Sequence, residues 1–332
     1  MSMNFFKNLK SHKLTNNHTQ DVRGSRPDSD SLPPEWAPAP EASYTHGHYN
    51  EATDQEFQDG ISFCLEHPLH PASLVPSRFV DRIKLEGAKV WGLEIPQDRF
   101  RFSGRVNNIP PDSKGQNMVH VTTEKHCKDY CLLSNLPIVA GLYDTSGREG
   151  VYYEVIIHEM NPPRTFLAIG TSCRPYPTFR LPGWNRQSTG WHLDDLRKFF
   201  EDSDGGRDFT DDGEKLSLPW NPKNRSEQYI PLGSTIGCGY IFQTGSIFFT
   251  FNGLRLPNAF DGAHLPRRER DVFAAIGVSG KTRFDVNFGG EPFRWMPGNT
   301  WQWRVERLVA SLHAIDDSST SGGGDDLPAY SR

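Results

Sequence analysis

The sequence lacks a basic excess, a long apolar run and a cysteine framework, and each absence removes a class of function. Its 332 residues carry 36 Lys and Arg against 41 Asp and Glu, a formal net charge of −5. No basic stripe is available to neutralise phosphates, so nucleic acid is excluded as an expected partner. The longest apolar runs, such as Phe273 to Val278, fall far below the ~20 residues needed to cross a bilayer. No integral membrane segment is expected. The stretch from Met1 to Lys10 also lacks the apolar centre of a secretory signal, so a soluble cytoplasmic protein is the expectation. Cys64, Cys127, Cys131, Cys173 and Cys238 are scattered and odd in number, which does not make a disulfide framework. His126, Cys127 and Cys131 hint at zinc, but a structural zinc site takes four ligands, usually from two separated pairs, and no second pair exists. These cysteines are expected to be reduced and half-buried, with no metal or other cofactor.

What is present changes character along the chain. Residues 1–45 are polar and then proline-rich through Leu32-Pro33-Pro34-Glu35-Trp36, too poor in apolar surface to offset the entropy of ordering. Residues 46–98 read as helical. Phe57, Ile61, Cys64 and Leu65 fall at helical spacing up to His67-Pro68, and a second helix opens at Pro76-Ser77-Arg78. From residue 99 the rhythm changes to short strands: 99–106 and 118–122 alternate with period two, 151–157 and 165–170 read as central strands, and 235–240, 245–251, 272–278 and 283–288 follow. Gly, Asn and Pro punctuate the gaps between them. Many short strands with turn residues between them, and no helices interleaved, predict an all-β antiparallel sandwich over residues 99–300. The acidic stretch 194–227 interrupts this rhythm as a surface insertion, with a short helix expected at Leu193 to Phe200. Its carboxylates lack the alternate spacing of a calcium loop.

Two enzyme-like patterns fail on inspection. Ala275-Ile276-Gly277-Val278-Ser279-Gly280-Lys281-Thr282 imitates the end of a phosphate-binding loop. The motif's first glycine is replaced by Ala275, and the following residues alternate as a strand instead of opening a helix. A glycosidase needs two carboxylates facing one cleft. The strands supply isolated acids such as Glu154 and Asp285, and His158 and His192 have no evident partner. No enzymatic activity is expected.

Three segments carry a resemblance: Phe179-Arg180-Leu181-Pro182-Gly183-Trp184 with Ser188-Thr189-Gly190-Trp191, the strand Ile247 to Gly253, and the strand Phe284 to Gly289. Together with Tyr152-Tyr153-Glu154-Val155, Ile169-Gly170 and Gly233 to Gly237, they resemble a SPRY (B30.2) domain over residues 135–297. The resemblance implies a concanavalin-like antiparallel β-sandwich with an N-terminal helical extension and disordered termini, built to grip peptides. Leu181, Pro182, Gly183, Trp184 and Trp191 are then the expected peptide-binding residues. Two readings of the tryptophans stay open: binding anchors, or plugs at the end of the sandwich.

Residues 301–332 end in a flexible tail. After the Ser/Gly/Asp linker of residues 318–326 stands Leu327-Pro328-Ala329-Tyr330, which resembles a WW-domain ligand. Proline presets polyproline II geometry, and tyrosine fills an aromatic pocket. With the SPRY pattern, this looks most like the fungal SPRY adaptors of a HECT-type ubiquitin ligase, which act in membrane-protein sorting. The implied partners are a client peptide at Leu181 to Trp191 and a WW-domain HECT ligase at Leu327, Pro328 and Tyr330. Those adaptors carry a transmembrane segment that is missing here, so any endosomal placement is expected to be peripheral. The alternatives are a SPRY scaffold in another complex and a carbohydrate-binding sandwich.

Overall fold

A computed structural model describes residues 53–309 apart from 112, 161–164, 204, 209–229 and 302–303. The tail expected over residues 1–45, most of the acidic insertion and the Leu327 to Tyr330 motif lie outside the described residues.

Two helices come first, α1 (Asp54–Glu66) and α2 (Ser77–Glu86), followed by a 3-10 turn at Gly87–Val90. Thr53 caps α1 by accepting from the Glu56 amide, and Asp54 and Glu56 lie in its first turn, where the helix dipole favours anions. Pro76 sets the entry to α2, whose Ile83 reaches the main core.

Thirteen strands follow among the described residues: β1 (Gly104–Asn107), β2 (Val119–Thr123), β3 (Tyr130–Leu133), β4 (Gly150–Met160), β5 (Phe166–Cys173), β6 (Ser188–His192), β7 (Arg197–Phe200), β8 (Arg207–Asp208), β9 (Thr235–Ile241), β10 (Ser246–Phe251), β11 (Leu254–Phe260), β12 (Val272–Ser279) and β13 (Thr282–Asn287). They form a seven-stranded sheet, ordered β1-β2-β13-β4-β9-β10-β11, and a six-stranded sheet, ordered β3-β12-β5-β6-β7-β8. Every pairing within them is antiparallel. The expected all-β sandwich with helices on its N-terminal side is therefore the observed fold.

The core lies between the sheets. Tyr153, Val155 and Ile157 of β4, Ile247 and Phe249 of β10, Leu167 and Ile169 of β5 and Ile276 of β12 share one buried cluster. Alternation along β10 places Phe248 on the opposite face, where it packs with Tyr152 under Phe293 and Trp295. Glu154 holds that cover in place by accepting from the Arg294 and Trp295 amides. Both faces of the central strands are thus buried, so β10 reads as a continuous apolar run.

The structure corrects three expectations. Residues 99–106 are a strand only from Gly104, because the Asp98 carboxylate caps the Phe100 and Arg101 amides in a turn. The stretch Leu193 to Phe200 is not a helix. Leu196 turns the chain at φ 64°, and Arg197 to Phe200 pairs back along β6 as β7. All five cysteines are fully buried and free, where half-burial was expected.

Two short connections agree with the sequence. Asn252 and Gly253 both take positive φ in the β10–β11 hairpin. Gly280, at φ 68°, turns β12 into β13 where the phosphate-loop imitation stood.

Candidate functional site

The β5–β6 connection, residues 174–187, lies on the outer face of the six-stranded sheet, because β6 offers it a surface built for backbone contact. Along β6, Thr189 and Trp191 point into the sandwich: Thr189 bonds Thr171, and Trp191 packs on Phe249 at 5.4 Å. Ser188, Gly190 and His192 point the other way, as strand alternation requires. Ser188 Oγ accepts from the Gly183 amide at 2.9 Å, and His192 Nε2 donates to the Pro182 carbonyl at 2.9 Å. A Cβ on Gly190 would stand 2.1 Å from the Pro182 carbonyl oxygen, so the loop can lie this close only over glycine. Gly183 turns the chain at φ 94°, with Phe199 pressed against it.

The five residues expected to contact a peptide are consequently interior. Leu181 and Trp184 are 3% and 4% exposed and form a small cluster with Phe199 beneath the loop. Pro182 and Gly183 are buried against β6. Trp191 is 0% exposed and belongs to the core between the sheets. A contact residue needs accessible surface, and these side chains offer almost none. Their part is to shape the loop. The plug reading also shifts: Trp184 packs on a sheet face, not at the end of the sandwich.

The outward side of the loop is occupied by α1. Gly60 comes so close that a Cβ there would meet Arg180 Cδ and Asn185 Nδ2 at 3.2 Å. Arg180, 2% exposed, lies between the Phe57 ring at 6.0 Å and the Trp184 ring at 4.5 Å, and its Nε donates to Asn185 at 3.0 Å. Burial pushes the Arg180 pKa below the ordinary guanidinium value, opposed by the carboxylates of Asp129 and Glu56. The last turn of α1 carries no basic residue of its own. Arg186 of the loop supplies one, donating to the Cys64 and His67 carbonyls.

This docking leaves a second face of α1 in the open. Asp59, Ser62, Phe63 and Glu66 follow the i, i+3, i+4, i+7 pattern of one helix face and line a groove of about 340 Å³. Arg101 and Phe179 complete the lining. The Phe63 and Phe179 rings meet edge to face at 6.5 Å. Arg101 lies 5.2 Å over Phe179 and is bound to Glu56 at 2.7 Å, while the neighbouring Phe100 is 95% exposed.

Several titratable groups near the loop are structural. Complete burial lowers His192 to about 4, so it stays neutral while donating to Pro182. Burial raises Asp194 to about 7, with the charge of Asp195 adding to the effect. Away from the loop, His158 has a partner that its sequence context did not suggest. Asp285 on β13 accepts from His158 at 2.9 Å and pairs with His120 at 2.5 Å. Among the described residues, no group of three or more His, Cys, Asp or Glu side chains is arranged to hold a metal ion. No helix among them is long and apolar enough to cross a membrane.

Sequence reasoning missed Arg101, Phe179, Arg180 and Arg186 as a group. The one available signal was α1 itself, whose Asp59, Phe63 and Glu66 repeat on a face separate from Phe57, Ile61 and Cys64.

Comparison with known proteins is consistent with this architecture. Residues 150–291 match the family model of the SPRY domain. Protein ssh4 of Sclerotinia sclerotiorum is 31% identical over 182 residues, 55% of this chain and 29% of that protein. The SPRY domain-containing protein C285.10c of Schizosaccharomyces pombe is 32% identical over 194 residues, 58% of this chain and 43% of that protein. The chain thus spans less than half the length of these curated relatives. A crystal structure of a human SPRY domain aligns with a TM-score of 0.36 at 21% identity, covering 53% of this chain and 98% of that one.

Proposed function

From the SPRY domain at residues 150–291, a protein-interaction fold, we propose that this chain is a non-enzymatic adaptor that carries client proteins to a WW-domain HECT ubiquitin ligase. The client peptide docks on what the 174–187 loop and α1 present outward. Leu181, Pro182, Gly183, Trp184 and Trp191 serve this surface from beneath, by fixing the loop. The ligase is recruited by Leu327, Pro328 and Tyr330. A single such motif binds weakly, so recruitment depends on several WW domains in one ligase. The site of action is the cytoplasm, peripheral to endosomes.

One observation carries this reading: a SPRY domain and a Leu-Pro-x-Tyr tail occur in one chain, separated by the Ser/Gly/Asp stretch 318–326. Titration of a peptide of residues 318–332 into isolated WW domains of a HECT ligase tests it. Saturable binding that is lost in Tyr330→Ala is expected. Equal binding by the Tyr330→Ala peptide, or no binding by either, would remove the ligase half of the proposal.

A further inference from the structure

We infer that the groove between α1 and the Arg101–Phe179 wall is the subsite that selects the client, and that it takes a lysine or arginine side chain of a partner segment. The inference rests on the interaction-module reading above and adds the chemistry of the partner. Six residues line the groove: Asp59, Ser62, Phe63, Glu66, Arg101 and Phe179. The single cation among them, Arg101, is already paired with Glu56 at 2.7 Å. Asp59 and Glu66 have no cationic partner among the described residues. Asp59 accepts from the neutral Gln55 side-chain amide at 2.7 Å, so the groove presents two carboxylates without a paired cation.

Their placement suits one guest cation. Asp59 lies four residues before Phe63 and Glu66 three after it, so both carboxylates stand about one turn from the Phe63 ring on the same helix face. Phe63 and Phe179 stand edge to face at 6.5 Å. A cation over an aromatic face gains about 0.5–2 kcal/mol, more as water is excluded. The protein already makes this contact nearby, with Arg101 over Phe179 and Arg180 over Trp184. An acidic or neutral guest would meet the same carboxylates without compensation.

The test uses the full-length protein and a positional-scanning library of short synthetic peptides, read by fluorescence anisotropy. Peptides with Lys or Arg at one fixed position are expected to bind about tenfold tighter than their Gln counterparts, which corresponds to about 1.4 kcal/mol. The preference should shrink at high salt. It should disappear in the Asp59→Asn, Glu66→Gln double variant. Both substitutions are at exposed positions, and an unchanged melting temperature would show the fold to be intact. Binding without charge preference, or a preference that survives the double variant, overturns the subsite and leaves client binding as such standing. Absence of any bound peptide overturns the subsite and the client half together. Preferential binding of the chain's own residues 5–13, which carry Lys7, Lys10 and Lys13, would make the occupant intramolecular and overturn the partner assignment.

Discussion

The two sides of the 174–187 loop obey different physics. Its inward side is a small core: Leu181, Pro182, Gly183 and Trp184 sit on β6 and β7, sealed by Phe199 and fixed by the Gly183 amide donating to Ser188 and His192 donating to the Pro182 carbonyl. Its outward side is polar and aromatic. Arg180 and Arg186 hold α1, and Phe179 faces a groove. Residues that make a sequence pattern distinctive are thus the ones that build the loop. The residues that face outward are the unremarkable ones between and beside them. A recognition loop needs both, because an exposed aromatic can be held at a defined position only if the backbone beneath it is fixed.

The contrast breaks most sharply on the inward side. Trp191→Ala empties a fully buried site and should cost about 3–5 kcal/mol, seen as a large fall in the urea midpoint. A small fall would mean that Trp191 is not the core residue its burial indicates.

His192 tests the same side through pH. Its folded pKa of about 4 lies below the ordinary 6.5, so between those values the unfolded chain holds the extra proton. The contribution of neutral His192 is complete above pH 6.5 and is lost as pH falls to 4. The stability gap between wild type and His192→Gln should therefore shrink by about 3 kcal/mol from pH 7 to pH 4. The buried His264 and Asp194 titrate alike in both proteins and cancel in the difference. A gap that stays constant would show that His192 is not held neutral.

On the outward side the effects are smaller and local. Arg186→Ala removes donors to the Cys64 and His67 carbonyls and should loosen α1 by about 1–2 kcal/mol. Faster amide hydrogen exchange confined to residues 54–66 would report it, with the β-strands unaffected. Phe179→Ala should change the melting free energy by no more than about 0.5 kcal/mol. If the outward side selects partners, this variant nevertheless loses most peptide binding. Equal binding by Phe179→Ala would erase the functional half of the contrast.

Much of the fold was legible because strand alternation is a local property. The period-two run at Val119 to Thr123 and the apolar run at Val272 to Ser279 are strands, and Asn252-Gly253 is the hairpin its dipeptide announces. Locality also explains the misses. Residues 197–200 carry no strong preference, and they pair as β7 only because the turn at Leu196 brings them beside β6. At the site, the tryptophans were legible as important but not as interior. Trp191 is buried between the two sheets, whereas Trp184 lies under a loop that Gly190 and Gly277, far apart in sequence, let settle on the sheet through Pro182 and Leu181.

Composition and periodicity by themselves determined the sandwich and the two N-terminal helices, since each follows from neighbours a few residues apart. Only the tertiary structure decided that α1 docks on the loop, that Arg180 lies between Phe57 and Trp184, and that Asp59, Phe63 and Glu66 face Phe179 across a groove. Apart from Arg180 with Trp184, those pairings join residues more than a hundred positions apart. No local preference encodes them; they exist because the fold brings α1 against the outward side of the loop.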